Sequence, residues 1–238
     1  MIIENIEYAV GQETFTGFLA HLGGRKPRPA VLVCPDAAGL REHARSAARR
    51  LAEAGYVAFA LDLHGQSYET VEAASAATRA LSGNLEELLA RTTAAYGVLL
   101  AQQEVDPART AAIGFCFGGR VALELARSGA HLRCTVGFHS TLSTAHPADA
   151  AHIRGKVLVC LGANDPVVPA EQRAAFIEEM TRGNVDFQML LLPAKHGFTD
   201  PGIDQHNHPA VAYDETAARR SWAAMLALFD ECLGVPVK

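Results

Sequence analysis

AAIGFCFGGR, residues 111–120, places a cysteine among glycines at the point where an apolar run gives way to helical spacing. Gly114 and Gly118 stand two residues before and two residues after Cys116, with Phe115 and Phe117 between them. The apolar run reads as a strand and the stretch after it as a helix, so the cysteine falls on a strand-to-helix turn. A turn that tight holds its central side chain up on a strained backbone, and flanking residues with a Cβ would collide with the neighbouring strand and helix. This is the nucleophile-elbow arrangement with Cys in the place of Ser. The helix that follows points free amides at the sulfur and favours thiolate over thiol. A glycine-rich turn that only packs a buried cysteine has the same local pattern, so the rest of the chain has to decide.

Outward from this stretch, short continuous apolar runs recur: AVLVC (30–34), VAFAL (57–61), TAAIGF (110–115), CTVGFH (134–139), KVLVCLG (156–162) and DFQMLLL (186–192). Strands covered on both faces have this composition. Stretches of helical spacing alternate with them at 42–54, 85–102, 118–127, 170–182 and 213–233. The alternation predicts an α/β fold, a mainly parallel sheet with helices on both faces, whose ligand site lies at the carboxyl ends of the strands. IEYAV and TFTGFLAHL around GQE predict an N-terminal antiparallel hairpin. Residues 64–83 fit the alternation less well and are expected to be a partly helical excursion over the site. No linker divides the chain, so 1–238 is expected to be one domain.

At 238 residues the chain is long enough to bury about 70 to 75% of its unfolded surface without staples or metal. A net charge of -5, with Lys and Arg scattered, gives no footprint for nucleic acid or an anionic membrane. The start MIIENIEYAV has no basic region, and no run nears 18 apolar residues, so the expectation is a soluble cytoplasmic protein without a secretory signal. Of five cysteines, Cys34, Cys134 and Cys160 lie in strand-like runs and read as core residues, and no CxxC pair suggests a redox or zinc motif.

Partners for Cys116 follow in the order that this sheet type requires. After KVLVCLG comes ANDPVVP, with Asp165 in a turn; after DFQMLLL comes PAKHGF, with His196 beside Gly197. His196 would shuttle the proton between thiol, leaving group and water, and Asp165 would orient the imidazole and stabilise its charged form. Each alone has an ordinary explanation, a turn aspartate and an exposed loop histidine. Together with the elbow they point to a nucleophilic hydrolase.

These residues resemble the dienelactone hydrolase family of the α/β-hydrolases, from the N-terminal hairpin through PDAAGLREHARSAARRLAEAGYVAFALDLHG, GFCFGG, ANDPVVP and KHGF. The resemblance implies a Cys116–His196–Asp165 triad that opens an ester or lactone through an acyl-thioester, with no cofactor. It also implies an oxyanion hole formed by the backbone amides of Ala37 and Phe117. The family carries a glutamate in the first loop that helps to take the thiol proton; here that position is Asp36, a carboxylate shorter by one C–C bond. Members that clamp an anionic lactone carry an arginine shortly after the histidine. Here HGFTDP places Asp200 in that neighbourhood, which would repel an anion, so the reaction class is carried over and the dienelactone substrate is not.

Arg79 in the excursion is expected to offer a compensating charge, and His64, Phe138, His139 and Phe198 to line the substrate pocket. His206 and His208 lie near His196 in sequence, but two histidines in an Asn/Pro loop read as a solvated surface, and no metal is expected. The expected partner is a small-molecule ester or lactone, with the protein a monomer or homodimer. A broad carboxylesterase, a non-catalytic binding protein and a thiol sensor remain open alternatives.

Overall fold

The computed structural model describes residues 1–24, 26–206 and 208–234. The GQE turn joins β1 (Ile2–Val10) to β2 (Glu13–His21) as the expected antiparallel hairpin. There follow β3 (Arg28–Cys34), α1 (Glu42–Glu53), β4 (Val57–Ala60), α2 (Val71–Ser82) and α3 (Leu85–Leu100). The second half comprises β5 (Val105–Phe115), α4 (Phe117–Arg127), β6 (Cys134–Phe138), β7 (Lys156–Gly162), α5 (Ala170–Arg182), β8 (Phe187–Leu192) and α6 (Glu215–Leu233).

One eight-stranded sheet runs in the order β1-β2-β4-β3-β5-β6-β7-β8. The hairpin meets β4 antiparallel, and every pairing from β4 to β8 is parallel. Strand alternation divides the core into two layers. Val31, Val33, Ile113 and Val136 face α1 and α6, where Ala44, Ala48, Leu51, Met225 and Phe229 meet them. Ala30, Leu32, Cys34 and Ala112 face α3 and α4, where Leu88, Leu99, Val121 and Leu125 meet them. Cys34, Cys134 and Cys160 are buried in these layers, as their runs suggested.

From β3 the chain crosses to β4 on one side and then returns to β5 on the other. The sheet therefore has its topological switch between β3 and β5, where loops leave in opposite directions and open a crevice. The segment expected as a partly helical excursion contains α2, capped by the Thr70 hydroxyl accepting from the Ala73 amide at 3.2 Å. One strand departs from expectation. DFQMLLL reads as doubly covered, but β8 is the sheet edge, and Leu191 is 49% exposed. Apolar composition alone does not distinguish an edge strand from a central one.

Candidate active site

β5 delivers Cys116 to the switch point. Its backbone has φ 53° and ψ -117°, a region that strains a residue with a Cβ, and it forms the N-cap of α4. The Cys116 amide donates to the Phe138 carbonyl at 3.0 Å, and the Gly119 amide donates to the Cys116 carbonyl at 3.1 Å, closing the turn. A Cβ on Gly114 would overlap the Gly118 carbonyl, and one on Gly118 would overlap the Cys34 and Pro35 carbonyls. The glycines thus let α4 press against the end of β3, which brings the loop of Asp36 and Ala37 beside the elbow.

The loop after β7 carries Asp165 and the loop after β8 carries His196. His196 Nδ1 lies 2.7 Å from Asp165 Oδ2, and His196 Nε2 lies 3.0 Å from Cys116 Sγ. Asp165 Oδ1 accepts the Val167 amide at 2.8 Å, so both carboxylate oxygens are held. The His196 backbone is pinned by bonds to Ala210 and Ala212. Both side chains are buried, whereas Cys116 remains partly exposed. For the His196 imidazole, burial opposes the charged form, but a thiolate at Cys116 and the hydrogen bond and charge of Asp165 outweigh it, raising its pKa to about 10. Among the described residues, no acceptor within the chain takes the amides of Ala37 or Phe117. Free amides at a helix N-terminus and in the facing loop suit a developing oxyanion.

Asp36 does not meet Cys116. Its Oδ1 accepts the Ala38 amide at 2.9 Å, and its Oδ2 faces His43 Nδ1 at 3.5 Å. A short carboxylate at the start of a turn bonds to the backbone two residues on, which occupies Oδ1 here. Four of the expected pocket residues are likewise corrected. Phe138 and Phe198 are both 0% exposed and belong to the core, Phe138 stacking on Phe115 with centroids 5.2 Å apart. Arg79 lies in α2 and is exposed. His139 is 2% exposed, with its Nε2 at 2.8 Å from Thr199 Oγ1, and it packs edge-on against His196 instead of lining an opening. His64 is half-buried behind the Ala37 loop, where burial lowers its pKa, and packs edge-on against Tyr68.

Sequence reasoning missed His43 and Thr199. Thr199 stands in the quoted HGFTDP, but nothing local marks a threonine whose partners come from α1 and from the end of β6. Asp36, His43 and Asp200 offer one ligand atom each within 4.8 Å of one another, a donor set of metal-binding type that the reading of His206 and His208 did not foresee. His196 has both ring nitrogens engaged and is not free to join His208, and the side chain of His206 lies outside the described residues.

A parallel sheet with a cysteine on a strained strand-to-helix turn at the switch point, and with Asp165 and His196 on the loops after β7 and β8, has the architecture of an α/β-hydrolase. The chain belongs to the dienelactone hydrolase family, whose description matches residues 15–233. These are hydrolases of esters and lactones. Among solved structures, one named m3DLH is 45% identical, covers 98% of each chain and superposes with a TM-score of 0.94. A dienelactone hydrolase-like promiscuous phosphotriesterase, P91, from metagenomic libraries is 42% identical, covering 98% of this chain and 99% of its own, with a TM-score of 0.93. A relative from Bradyrhizobium sp., named a probable 2-oxo-3-(5-oxofuran-2-ylidene)propanoate lactonase, is 29% identical over 82% of this chain and 80% of its own. Among the described residues, no helix is long and apolar enough to cross a membrane.

Proposed function

We propose that this chain cleaves uncharged carboxylic esters and lactones through an acyl-thioester on Cys116. The observation that carries the reading is the continuous contact from Asp165 to His196 to Cys116, 2.7 Å and then 3.0 Å, at a strained elbow. The thiolate attacks the carbonyl carbon, and the oxygen takes the negative charge facing the amides of Ala37 and Phe117. Each such donor typically lowers the barrier by about 3 to 4 kcal/mol. Collapse breaks the C–O bond, and the His196 imidazolium gives its proton to the departing alkoxide. His196 then draws a proton from water, which attacks the thioester and releases the acid and the thiolate. Asp165 keeps the ring in one orientation and stabilises it when charged.

The preference for uncharged substrates rests on Asp36 and Asp200, which converge beside the site where an anion clamp would need an arginine. Phosphotriester cleavage is a second reading, favoured by the 42% identity with the phosphotriesterase over 98% of this chain. The same thiolate and amides suit a neutral phosphoryl centre. Initial rates on p-nitrophenyl acetate, a lactone panel and a neutral p-nitrophenyl phosphotriester separate these readings. Mass spectrometry after brief exposure to activated esters should find an acyl adduct on Cys116 that accumulates in His196→Ala. If the wild-type protein turns over nothing in the panel while iodoacetamide readily labels Cys116, a thiol sensor replaces the hydrolase.

A further inference from the structure

We infer that Asp36, His43 and Thr199 form a second relay of polar groups, which holds His139 against the imidazole of His196. Asp36 then acts on the site through the histidine and not through the thiol. The inference takes the role of His196 from the function proposed above.

The relay spans four separate pieces of chain. Asp36 lies in the loop after β3, His43 in the first turn of α1, Thr199 three residues beyond His196, and His139 directly after β6. His43 Nε2 is 3.2 Å from Thr199 Oγ1 and Thr199 Oγ1 is 2.8 Å from His139 Nε2, both within hydrogen-bond reach. Asp36 Oδ2, 3.5 Å from His43 Nδ1, acts on that ring by its charge and makes no hydrogen bond to it. A hydroxyl has one proton and two lone pairs, and here it meets two ring nitrogens, so it can donate to one ring while accepting from the other. The carboxylate facing His43 Nδ1 favours the proton on that nitrogen, which leaves Nε2 to accept from Thr199. The Thr199 oxygen then accepts from His139 Nε2–H. One arrangement of protons satisfies the hydroxyl.

At the far end, the His139 ring meets His196 edge-on at 5.1 Å and Phe198 edge-on at 5.1 Å. Its backbone has φ 39°, a left-handed conformation that a residue with a Cβ holds only when its surroundings impose it. Burial, followed by the nearby charges of His196 and His43, keeps its pKa well below 6.5. A neutral ring therefore lies against His196 when that imidazole carries its proton. Asp165 and Cys116 hold the two nitrogens of His196, while His139 limits rotation of the ring out of their line. The order carboxylate, imidazole, hydroxyl parallels the carboxylate, imidazole, thiol of the proposed triad, but the hydroxyl continues into a second imidazole, so this relay positions rather than reacts.

The test compares Thr199→Val, which keeps the shape and removes the hydroxyl, with Thr199→Ser, which keeps the hydroxyl. Four quantities are read: kcat and KM on p-nitrophenyl acetate, the rate of Cys116 alkylation by iodoacetamide, and the thermal midpoint. Thr199→Val should lose on the order of tenfold in kcat with KM little changed, and should alkylate several-fold more slowly. Thr199→Ser should restore both rates. Asp36→Asn should show a smaller loss of the same kind, and Asp36→Asn combined with Thr199→Val should be no worse than Thr199→Val alone. Wild-type kcat and alkylation in Thr199→Val overturn the inference, as do losses that multiply in the double variant, the behaviour expected if Asp36 served the thiol directly. Should Thr199→Val fail to fold, His43→Gln and Asp36→Asn read the same relay at its other end, and wild-type rates in both overturn it. If the wild-type protein hydrolyses no ester, the function proposed above falls, and the alkylation rates still decide whether the relay governs the Cys116–His196 pair.

Discussion

Cys116 and His196 carry opposite burdens. The cysteine bears backbone strain at φ 53° while remaining partly exposed, and the histidine is buried between Asp165 and Cys116. On the proposed mechanism Asp165→Asn leaves the fold intact but removes the charge that orients the ring, and kcat should fall by about 10³ to 10⁴. The stability of the pair follows pH in a defined direction. The folded-state value of His196, about 10, lies above the ordinary 6.5, so protonation contributes stability in full below about pH 6.5 and loses it as pH rises through about 10. The thermal-midpoint difference between wild type and His196→Gln should therefore narrow from about pH 7 to about pH 10.5. A difference that widens over that range would contradict the ion-pair assignment. The contact of Cys116, His196 and Asp165 was legible because the elbow needs its glycines and the loop order is set by the sheet. The pocket residues were not, since a phenylalanine that follows a strand faces either the crevice or the core, and the local sequence is the same in both cases.

At the scale of elements, the elbow depends on three glycines that fail in different ways. Gly118 faces the Cys34 and Pro35 carbonyls, which are backbone and cannot move aside, whereas Gly119 faces the Ser140 side chain. Gly119→Ala should cost about 2 to 4 kcal/mol in urea unfolding, and Ser140→Gly should recover most of it in the double variant. Gly118→Ala should cost at least as much and gain nothing from Ser140→Gly; equal rescue of both would mean that the helix and not the side chain had shifted. The hairpin is tied to the sheet by a polar contact. The Tyr8 hydroxyl donates to the Asp62 carbonyl at 2.7 Å and accepts the Asp62 amide at 3.1 Å. Tyr8→Phe leaves both groups buried without that partner and should cost about 1 to 3 kcal/mol in the same measurement. Strand and helix positions along the parallel sheet were readable from apolar runs and helical spacing. The edge position of β8 was not, because burial on a second face depends on which elements arrive there.

At the scale of the whole molecule, the two faces of the sheet meet different helices, and a buried ion pair joins the helices of one face. Arg127 in α4 reaches Glu179 in α5 through two bonds of 2.7 Å and 3.1 Å, and also donates to the Leu142 carbonyl at 3.3 Å. Replacing Arg127 by Met strands Glu179 without its cation and leaves Glu124 only Arg120, and should cost about 3 to 5 kcal/mol. On the proposed function, the acidic pair at the site also sets substrate choice. Asp200→Arg should raise kcat/KM for an anionic lactone relative to a neutral one on the order of tenfold, most clearly at low salt. An unchanged ratio would remove Asp200 from the account of specificity.

By itself the sequence determined the α/β alternation and the elbow with its glycines, and it pointed to Cys116, Asp165 and His196 as the proposed triad. Each of these follows from a local requirement, a burial period or a turn that tolerates no Cβ. Only the tertiary structure decided that Asp36 turns from Cys116 toward His43, that Phe138 and Phe198 belong to the core, and that Thr199 links two histidines. Those contacts join side chains from loops far apart in the chain, and their directions are set by how strands, helices and turns pack together, which no short stretch of residues encodes.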